Sequence, residues 1–164
     1  MRKQNLHTME SLVPVICSFF DEGKKVIIAA VGNSMRPLIR HKKDSIILEK
    51  YSGNQLSVGD MAFYRRENGQ YVMHRIVKVD ENGSYTMLGD NLTIFEEGIE
   101  AEQIIALPTA VIRGTKIIPL TSKRYLRYAK FWANSVFFRR LSIKLFAIKI
   151  KLFRIITGIK VTVE

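Results

Sequence analysis

Residues 61–88 read MAFYRRENGQYVMHRIVKVDENGSYTML. Two Asn-Gly pairs, Asn68-Gly69 and Asn82-Gly83, divide this stretch into three apolar runs of strand length. Asn-Gly between alternating apolar runs is the strongest short sequence signal of a hairpin. The stretch therefore predicts three consecutive antiparallel strands, over residues 61–65, 70–79 and 84–88.

The same pattern extends to both sides of this meander. Further strands are predicted over residues 25–31 and 44–48 before it, and over 104–112 and 115–120 after it. Residues 8–22 are predicted to form a short helix that ends at Gly23. Seven or eight short strands with close turns predict a mainly β fold. We expect an antiparallel, partly coiled and barrel-like sheet with a short N-terminal helix.

Charge divides the chain into two parts. The net charge of the 164 residues is +11, but residues 1–120 hold 15 Lys and Arg against 14 Asp and Glu. Residues 121–164 hold 11 Lys and Arg against a single acid, Glu164. This asymmetry predicts a near-neutral domain over residues 1–120 and a basic tail over residues 121–164.

The basic tail has the pattern of one or two amphipathic helices, although alternation over residues 143–152 leaves a strand open there. Cations without neighbouring acids, mixed with Leu, Ile and Phe, favour binding of residues 122–156 to an anionic membrane surface. Nucleic acid, with stacking on Tyr125, Tyr128 and Trp132, is the less favoured partner. A third interpretation packs about half of the tail on the domain's own sheet.

The sequence gives few signs of export. The apolar run over residues 12–20 is short and is followed by Asp21-Glu22, so no signal peptide is predicted. No stretch has the roughly 18–20 uncharged apolar residues that cross a bilayer. The single Cys17 is predicted to be a buried hydrophobe. We expect a peripheral membrane protein, and the positive-inside tendency favours the cytoplasmic face.

Three phrases carry candidate chemistry: Ser34 lies in Gly-Asn-Ser-Met-Arg-Pro, His74 in Met-His-Arg-Ile, and Asp90 in Leu-Gly-Asp-Asn. Each phrase alone has an ordinary interpretation, as a capping serine, a core histidine or a turn. Together they offer a nucleophile, a general base 40 residues later, and an acid to orient the base. The Ser34 N–H is a candidate oxyanion donor. No metal is predicted, because the histidines lack ligand partners at metal-binding spacing.

These phrases, together with Val58-Gly59-Asp60 before an apolar strand, resemble the ordered motifs of the signal peptidase I-like serine peptidases. This superfamily also contains LexA-type self-cleaving repressors. Histidine in place of a lysine base is similar to the archaeal and endoplasmic-reticulum type. The resemblance spans residues 25–118. It implies a β-rich fold, a Ser34 nucleophile, a His74 base, an acid from the Gly-Asp-Asn loop and no cofactor. The implied substrate is an extended peptide.

The chain departs from that family pattern in three places. The family often has a second acid about six residues after the Gly-Asp-Asn aspartate, and here that position is Glu96. We therefore expect Asp90, or alternatively Glu96, to orient His74. Gly32 stands where many members have a serine oxyanion donor, so the Asn33 amide or a backbone group would substitute. The family's amino-terminal membrane anchor is not seen, and the basic tail is expected to serve in its place.

The favoured hypothesis is a membrane-peripheral serine endopeptidase that trims a leader or signal-like peptide. Lys78 is a less favoured base, because it lies two side-chain steps beyond His74, about 13 Å along the strand. A LexA-type self-cleaving regulator is also less favoured, because only about 30 residues precede Ser34 and a DNA-reading domain needs more. The third hypothesis is a non-catalytic module that binds membrane or nucleic acid.

Overall fold

The computed structural model describes residues 9–157. Residues 1–8 and 158–164, which include His7 and Glu164, lie outside the described residues. The helices are α1 (Met9–Asp21), α2 (Lys123–Asn134) and α3 (Val136–Thr157). The strands are β1 (Val26–Ala29), β2 (Asp44–Lys50), β3 (Met61–Arg65), β4 (Tyr71–Val79), β5 (Tyr85–Leu88), β6 (Glu96–Ile99), β7 (Ile104–Arg113) and β8 (Lys116–Pro119).

All eight strands belong to one antiparallel sheet. Seven of them follow the order β1-β2-β7-β3-β4-β5-β6, and β8 pairs with β7. Over the described residues the sheet stays open, with β1 and β6 at its ends. The mainly β antiparallel prediction is confirmed, including both Asn-Gly hairpins. The expected barrel-like closure is not found among the described residues, because β1 and β6 do not pair. Strand β6 was not predicted from the sequence, because two glutamates and a glycine give it no strand pattern.

Apolar side chains cover both faces of the central strands. Successive residues of a strand point to opposite faces. In β3, Met61 and Phe63 belong to one buried cluster, while Ala62 and Tyr64 belong to another. In the paired strand β4, His74 lies opposite Ala62 and Arg75 lies opposite Met61. His74 and Arg75 therefore face the two different clusters.

An ion pair between Arg75 and Asp90 lies fully buried on the first face. The Arg75 Nε and Nη2 atoms each donate to the Asp90 carboxylate at 2.7 Å, and both side chains are inaccessible to solvent. The third nitrogen of Arg75 donates to the Gly59 carbonyl at 2.7 Å and to the Tyr125 hydroxyl at 3.1 Å. Such a pair tolerates burial because its remaining donors and acceptors are satisfied.

Helix α2 closes over this ion pair. Ser122 caps its first turn by accepting the Tyr125 N–H. The Tyr128 hydroxyl donates to the Asp90 carboxylate at 3.2 Å, and the Trp132 indole donates to the Asp90 carbonyl at 2.9 Å. The first part of the predicted tail thus packs against the sheet, as one of the three interpretations expected.

Helix α3 continues from α2 after Ser135. Residues 143–152 lie within it, so that segment is helical and not a strand. The buried Arg139 guanidinium donates to the Trp132 carbonyl at 3.0 Å and adds to the Ser135 N–H bond that this carbonyl accepts at the C-terminal end of α2. None of the helices in residues 9–157 combines the length and the apolar character needed to cross a membrane.

Replacement of Asp90 by Asn should destabilise the fold strongly. The change leaves the Arg75 guanidinium buried without a counter-charge, which costs about 3–5 kcal/mol of unfolding free energy. Chemical denaturation measures the difference. The matched control is Glu49→Gln, because Glu49 forms an exposed pair with Lys25. That control should cost less than about 1 kcal/mol, and equal losses in the two variants would contradict this role of the buried pair.

Candidate active site

Ser34 lies in the turn between β1 and β2, and a buried carboxylate holds that turn. Asp44, at the start of β2, accepts hydrogen bonds from the backbone N–H and the guanidinium of Arg40. It also accepts from Arg113, which donates in addition to the Leu38 carbonyl at 2.7 Å. Burial opposes ionisation of Asp44, but these bonds outweigh it and hold its pKa well below the usual range. The turn is therefore clamped at its C-terminal end.

At its other end, the turn begins with Gly32 in a conformation that favours glycine. Gly32 has a φ of +90°, which side-chain-bearing residues rarely adopt. Its N–H donates to Nδ1 of His41 at 2.9 Å. His41 is half-buried and supports this turn. The same hydrogen bond occupies the Gly32 N–H, so this group is not a free oxyanion donor.

The Ser34 backbone contacts the Gly-Asp-Asn loop directly. The Asn91 N–H donates to the Ser34 carbonyl at 2.7 Å. A Cβ atom on Gly89 would lie 2.9 Å from that same carbonyl oxygen, so only glycine fits there. The apolar residues of the same turn, Met35 and Ile39, belong to the buried cluster of Met61 and Phe63, which is the face that carries Arg75. The Asn91 bond therefore joins the Ser34 turn to the loop that carries Asp90.

His74 is buried, and its Nδ1 atom contacts a carboxylate. Nδ1 lies 2.9 Å from Oε1 of Glu96 and 3.2 Å from the Tyr64 hydroxyl. That hydroxyl donates its single proton to the other Glu96 oxygen at 2.9 Å. A lone pair on Nδ1 would face the carboxylate unfavourably, so we assign the proton to Nδ1. The lone pair then belongs to Nε2, which is the tautomer that a general base requires.

Burial of His74 favours a neutral ring at pH 7. Burial lowers the pKa of His74, and the positive charge of Arg66 lowers it further. The negative charge of Glu96 raises this pKa but does not offset burial, so the pKa of His74 lies below the usual 6.5. Burial alone would raise the pKa of Glu96, but hydrogen bonds from Arg66 and Tyr64 outweigh it and lower that pKa. Burial raises the pKa of Tyr64, as does the adjacent Glu96 charge. The group therefore consists of a neutral imidazole, an ionised carboxylate and a protonated phenol.

The contact with His74 goes to Glu96, and the favoured acid Asp90 instead binds Arg75. The reason is strand geometry, because His74 and Arg75 are neighbours in β4 and point to opposite faces. Asp90 lies on the Arg75 side. Glu96 is brought to the His74 side by pairing of β5 with β6, in which Met87 lies opposite Glu96.

Two residues of this cluster were not found from the sequence. Arg66 donates to Glu96 through Nε at 2.7 Å and through its Nη2 atom. Tyr64 bridges Glu96 and His74. Both follow from the β3–β4 hairpin, which places residues 64–66 beside His74. The sequence did hold a signal for Tyr64. In the β3–β4 hairpin Tyr64 lies opposite Val72, two residues from His74, so the side chains of Tyr64 and His74 share a face.

The Ser34 side of the site offers a backbone donor. Within residues 9–157 the Ser34 N–H has no acceptor, and the Ser34 hydroxyl has no hydrogen-bond partner. The Asn33 side-chain oxygen accepts a long contact from Arg36 at 3.5 Å. Of the two predicted oxyanion donors, the Ser34 N–H is the one left unoccupied. The structure thus brings His74 to Glu96 and Ser34 to the Asp90 loop, without a hydrogen bond from the hydroxyl to the ring.

Lys78 is poorly placed to act as the base. Its side chain is 70% exposed and its Nζ lies 2.6 Å from the Asp80 carboxylate. The hydrogen bond to Asp80 raises the pKa of Lys78, which keeps the amine protonated. A protonated amine cannot accept the Ser34 proton.

An apolar cavity of about 240 Å³ adjoins Ser34. It lies between the end of β1 and the first half of β4, where β5 no longer pairs with β4. Its lining is formed by Ala30, Val31, Gly32, Ser34, Met35, Ile39, Ile46, Val72 and Met73. The free edge of β1 and the unpaired edge of β4 offer backbone groups to an extended peptide beside this cavity.

Over residues 9–157, no group of three or more His, Cys, Asp or Glu side chains is arranged to hold a metal ion. In comparisons with known proteins, the chain matches no protein-family model and no curated protein sequence. The site must therefore be interpreted from its own geometry.

Replacement of Gly89 by Ala should detach the Ser34 turn. The new Cβ meets the Ser34 carbonyl at 2.9 Å and the Leu92 side chain at 2.8 Å, and the backbone carbonyl must move. Hydrogen exchange of the Asn91 amide should accelerate, because its bond to Ser34 is lost. The control is Gly83→Ala, which strains a positive φ in open space. If Asn91 stays equally protected in both variants, Gly89 does not seat the Ser34 turn.

Replacement of Glu96 by Gln should lower the pKa of His74 further, because the lost carboxylate stabilises the imidazolium. NMR titration of the imidazole resonances measures this pKa. Glu97→Gln is the matched control, because Glu97 is the exposed neighbour on β6. An unchanged or raised His74 pKa in Glu96→Gln would contradict the contact.

Proposed function

We propose that this chain is a serine endopeptidase of the signal peptidase I-like class. The observation that carries the proposal is the buried contact between His74 and Glu96, which occupies Nδ1 and leaves the Nε2 lone pair available to take a proton from Ser34. A clamped serine turn, a neutral buried imidazole and an ionised acid are the parts of a Ser-His-acid site. The order of the sequence motifs and the mainly antiparallel β architecture support the same class.

In the proposed mechanism, Ser34 attacks the scissile carbonyl while Nε2 of His74 takes the hydroxyl proton. The hydroxyl reaches Nε2 in the substrate complex, where catalytic hydrogen bonds tighten. Glu96 stabilises the imidazolium that forms, and Arg66 and Tyr64 hold Glu96 in position. The Ser34 N–H donates to the developing oxyanion. His74 then gives the proton to the leaving amine, and the acyl-enzyme remains. In the second half-reaction His74 takes a proton from water, the water attacks the acyl-enzyme, and His74 returns the proton to Ser34.

Asp90 takes a different role in this proposal. Its carboxylate neutralises Arg75, and the following Asn91 N–H holds the Ser34 carbonyl. It therefore positions the nucleophile turn and does not touch the base. Loss of Asp90 should reduce stability and activity together, whereas loss of Glu96 should reduce mainly the rate of acylation.

The substrate supported by the site is an extended peptide. Its backbone would pair with the free strand edges of β1 or β4, and one apolar side chain would enter the cavity beside Ser34. The cavity lining contains no charged side chain, which disfavours charged residues at that substrate position. No cofactor takes part in these steps.

A fluorophosphonate probe should label Ser34, as identified by mass spectrometry of the modified peptide. Ser34→Ala and His74→Ala should abolish labelling, and Glu96→Ala should slow it about 10²-fold or more. Ser57→Ala, at an exposed turn serine, is the matched control and should label normally. Labelling that persists in His74→Ala would remove the imidazole from the mechanism, and no labelling at all would favour a non-catalytic module.

The midpoint of the acidic limb of the labelling rate should lie below pH 6.5. Neutral His74 is the active form, and its pKa lies below the ordinary value because burial disfavours its charge. The acidic limb should move to still lower pH in Glu96→Gln and stay in place in Glu97→Gln. An acidic limb of the labelling rate with its midpoint above pH 7 would contradict the assignment of His74 as the base.

A further inference from the structure

The outer face of α3 carries a continuous apolar stripe. Six side chains recur at steps of three or four residues, which places them on one helix face. Each is at least 41% exposed: Phe138, Leu141, Leu145, Ile148, Leu152 and Ile156. The ring of Phe131, on α2, packs 5.1 Å from the Phe138 ring and extends this surface. We call these six residues the α3 stripe.

Exposed cations border the α3 stripe on both sides. Helical spacing places Arg140, Lys144 and Lys151 along one border and Lys149 along the other, and all four are exposed. Residues 121–157 contain no Asp or Glu. Apolar side chains flanked by Lys and Arg match the boundary between acyl chains and anionic headgroups, where the cations remain at the phosphates.

Two other occupants fit this face less well. The rings that suggested stacking on nucleic-acid bases are engaged elsewhere. Tyr125 and Trp132 are buried, and the Tyr128 hydroxyl bonds to Asp90. A second copy of the chain would bring the same cations against the stripe without acids on α3 to neutralise them. Charge complementarity therefore selects an anionic lipid surface.

We propose that α3 binds the surface of an anionic bilayer through the α3 stripe, lying in the plane of the headgroups. The inner face of the helix contacts the Ser34 turn, since the Arg36 guanidinium lies 3.9 Å from the centre of the Phe146 ring. Docking thus holds Ser34 roughly one helix diameter, about 10 Å, from the bilayer. Peptides that emerge from the membrane surface are then the substrates within reach.

This substrate consequence rests on the proposed function, but lipid binding by α3 does not. The two failures are distinguishable, because lipid binding is measured on the inactive Ser34→Ala variant as well as on the unmodified chain. Both should bind equally. A peptidase that ignores lipid would fail only the binding measurement, and a lipid-binding protein without labelling would fail only the proposed function.

The test is co-sedimentation of the full chain with vesicles of phosphatidylcholine and phosphatidylglycerol at about a 3:1 ratio. Binding should weaken at least about tenfold on phosphatidylcholine alone, and similarly in about 1 M salt, where charges are screened. The double variant Leu145→Asp with Ile148→Asp should lose binding, and Lys144→Glu with Lys151→Glu should weaken it on anionic vesicles. These side chains are exposed, so circular dichroism should show an intact fold.

Matched controls place the same changes elsewhere on the surface. Ile117→Asp alters an isoleucine of β8 that is 63% exposed, and Lys43→Glu with Lys116→Glu reverses two exposed charges outside α3. Both controls should retain vesicle binding. Equal loss in the controls, or full binding by the stripe variant, would overturn the proposal. So would tighter binding to duplex RNA or DNA than to vesicles, or stripe-dependent dimers without lipid.

Discussion

The alternation of side chains in β4 determines the organisation of this molecule. His74 and Arg75 are consecutive, so they point to opposite faces of the sheet. Each is buried, and each takes its own carboxylate: Glu96 on one face and Asp90 on the other. One face thereby becomes a candidate proton-transfer site, and the other becomes the ionic anchor that joins the sheet to α2. Neither carboxylate can replace the other without crossing the sheet.

The Gly-Asp-Asn loop connects the buried ion pair to the Ser34 turn. Asp90 is held by Arg75 of the sheet and by the Tyr128 and Trp132 side chains of α2, all of which donate hydrogen bonds to it. The following Asn91 N–H donates to the Ser34 carbonyl, and at the preceding Gly89 a side chain would collide with that same carbonyl. The buried ion pair therefore helps to position the Ser34 turn. This arrangement explains why a carboxylate remote from the imidazole ring still belongs to the site.

The fold was readable from sequence where local signals are strong, and the partner of His74 was not. The Asn-Gly turns and apolar runs predicted β3, β4 and β5 closely, because hairpin pairing is local. The choice between Asp90 and Glu96 depends on strand register across β4, β5 and β6, and β6 has no apolar alternation to reveal it. The sequence did offer one signal for this choice, which is Arg75 next to His74 in an apolar strand. An arginine buried there needs a carboxylate of its own, and Asp90 is the carboxylate that it binds. Likewise, the tail tyrosines suggested stacking surfaces because their hydroxyl partners lie at distant positions in the sequence.

The central claim is that the Ser34 hydroxyl and Nε2 of His74 form one reacting pair, with Glu96 behind the ring. A crystal structure of the chain phosphonylated at Ser34 tests it most directly. The account predicts Oγ of Ser34 within about 3.5 Å of Nε2, with Nδ1 still at Glu96 and Asp90 still at Arg75. Unmodified Ser34 after treatment with the probe, or a modified Ser34 whose Oγ lies well beyond hydrogen-bonding reach of the imidazole, would contradict it.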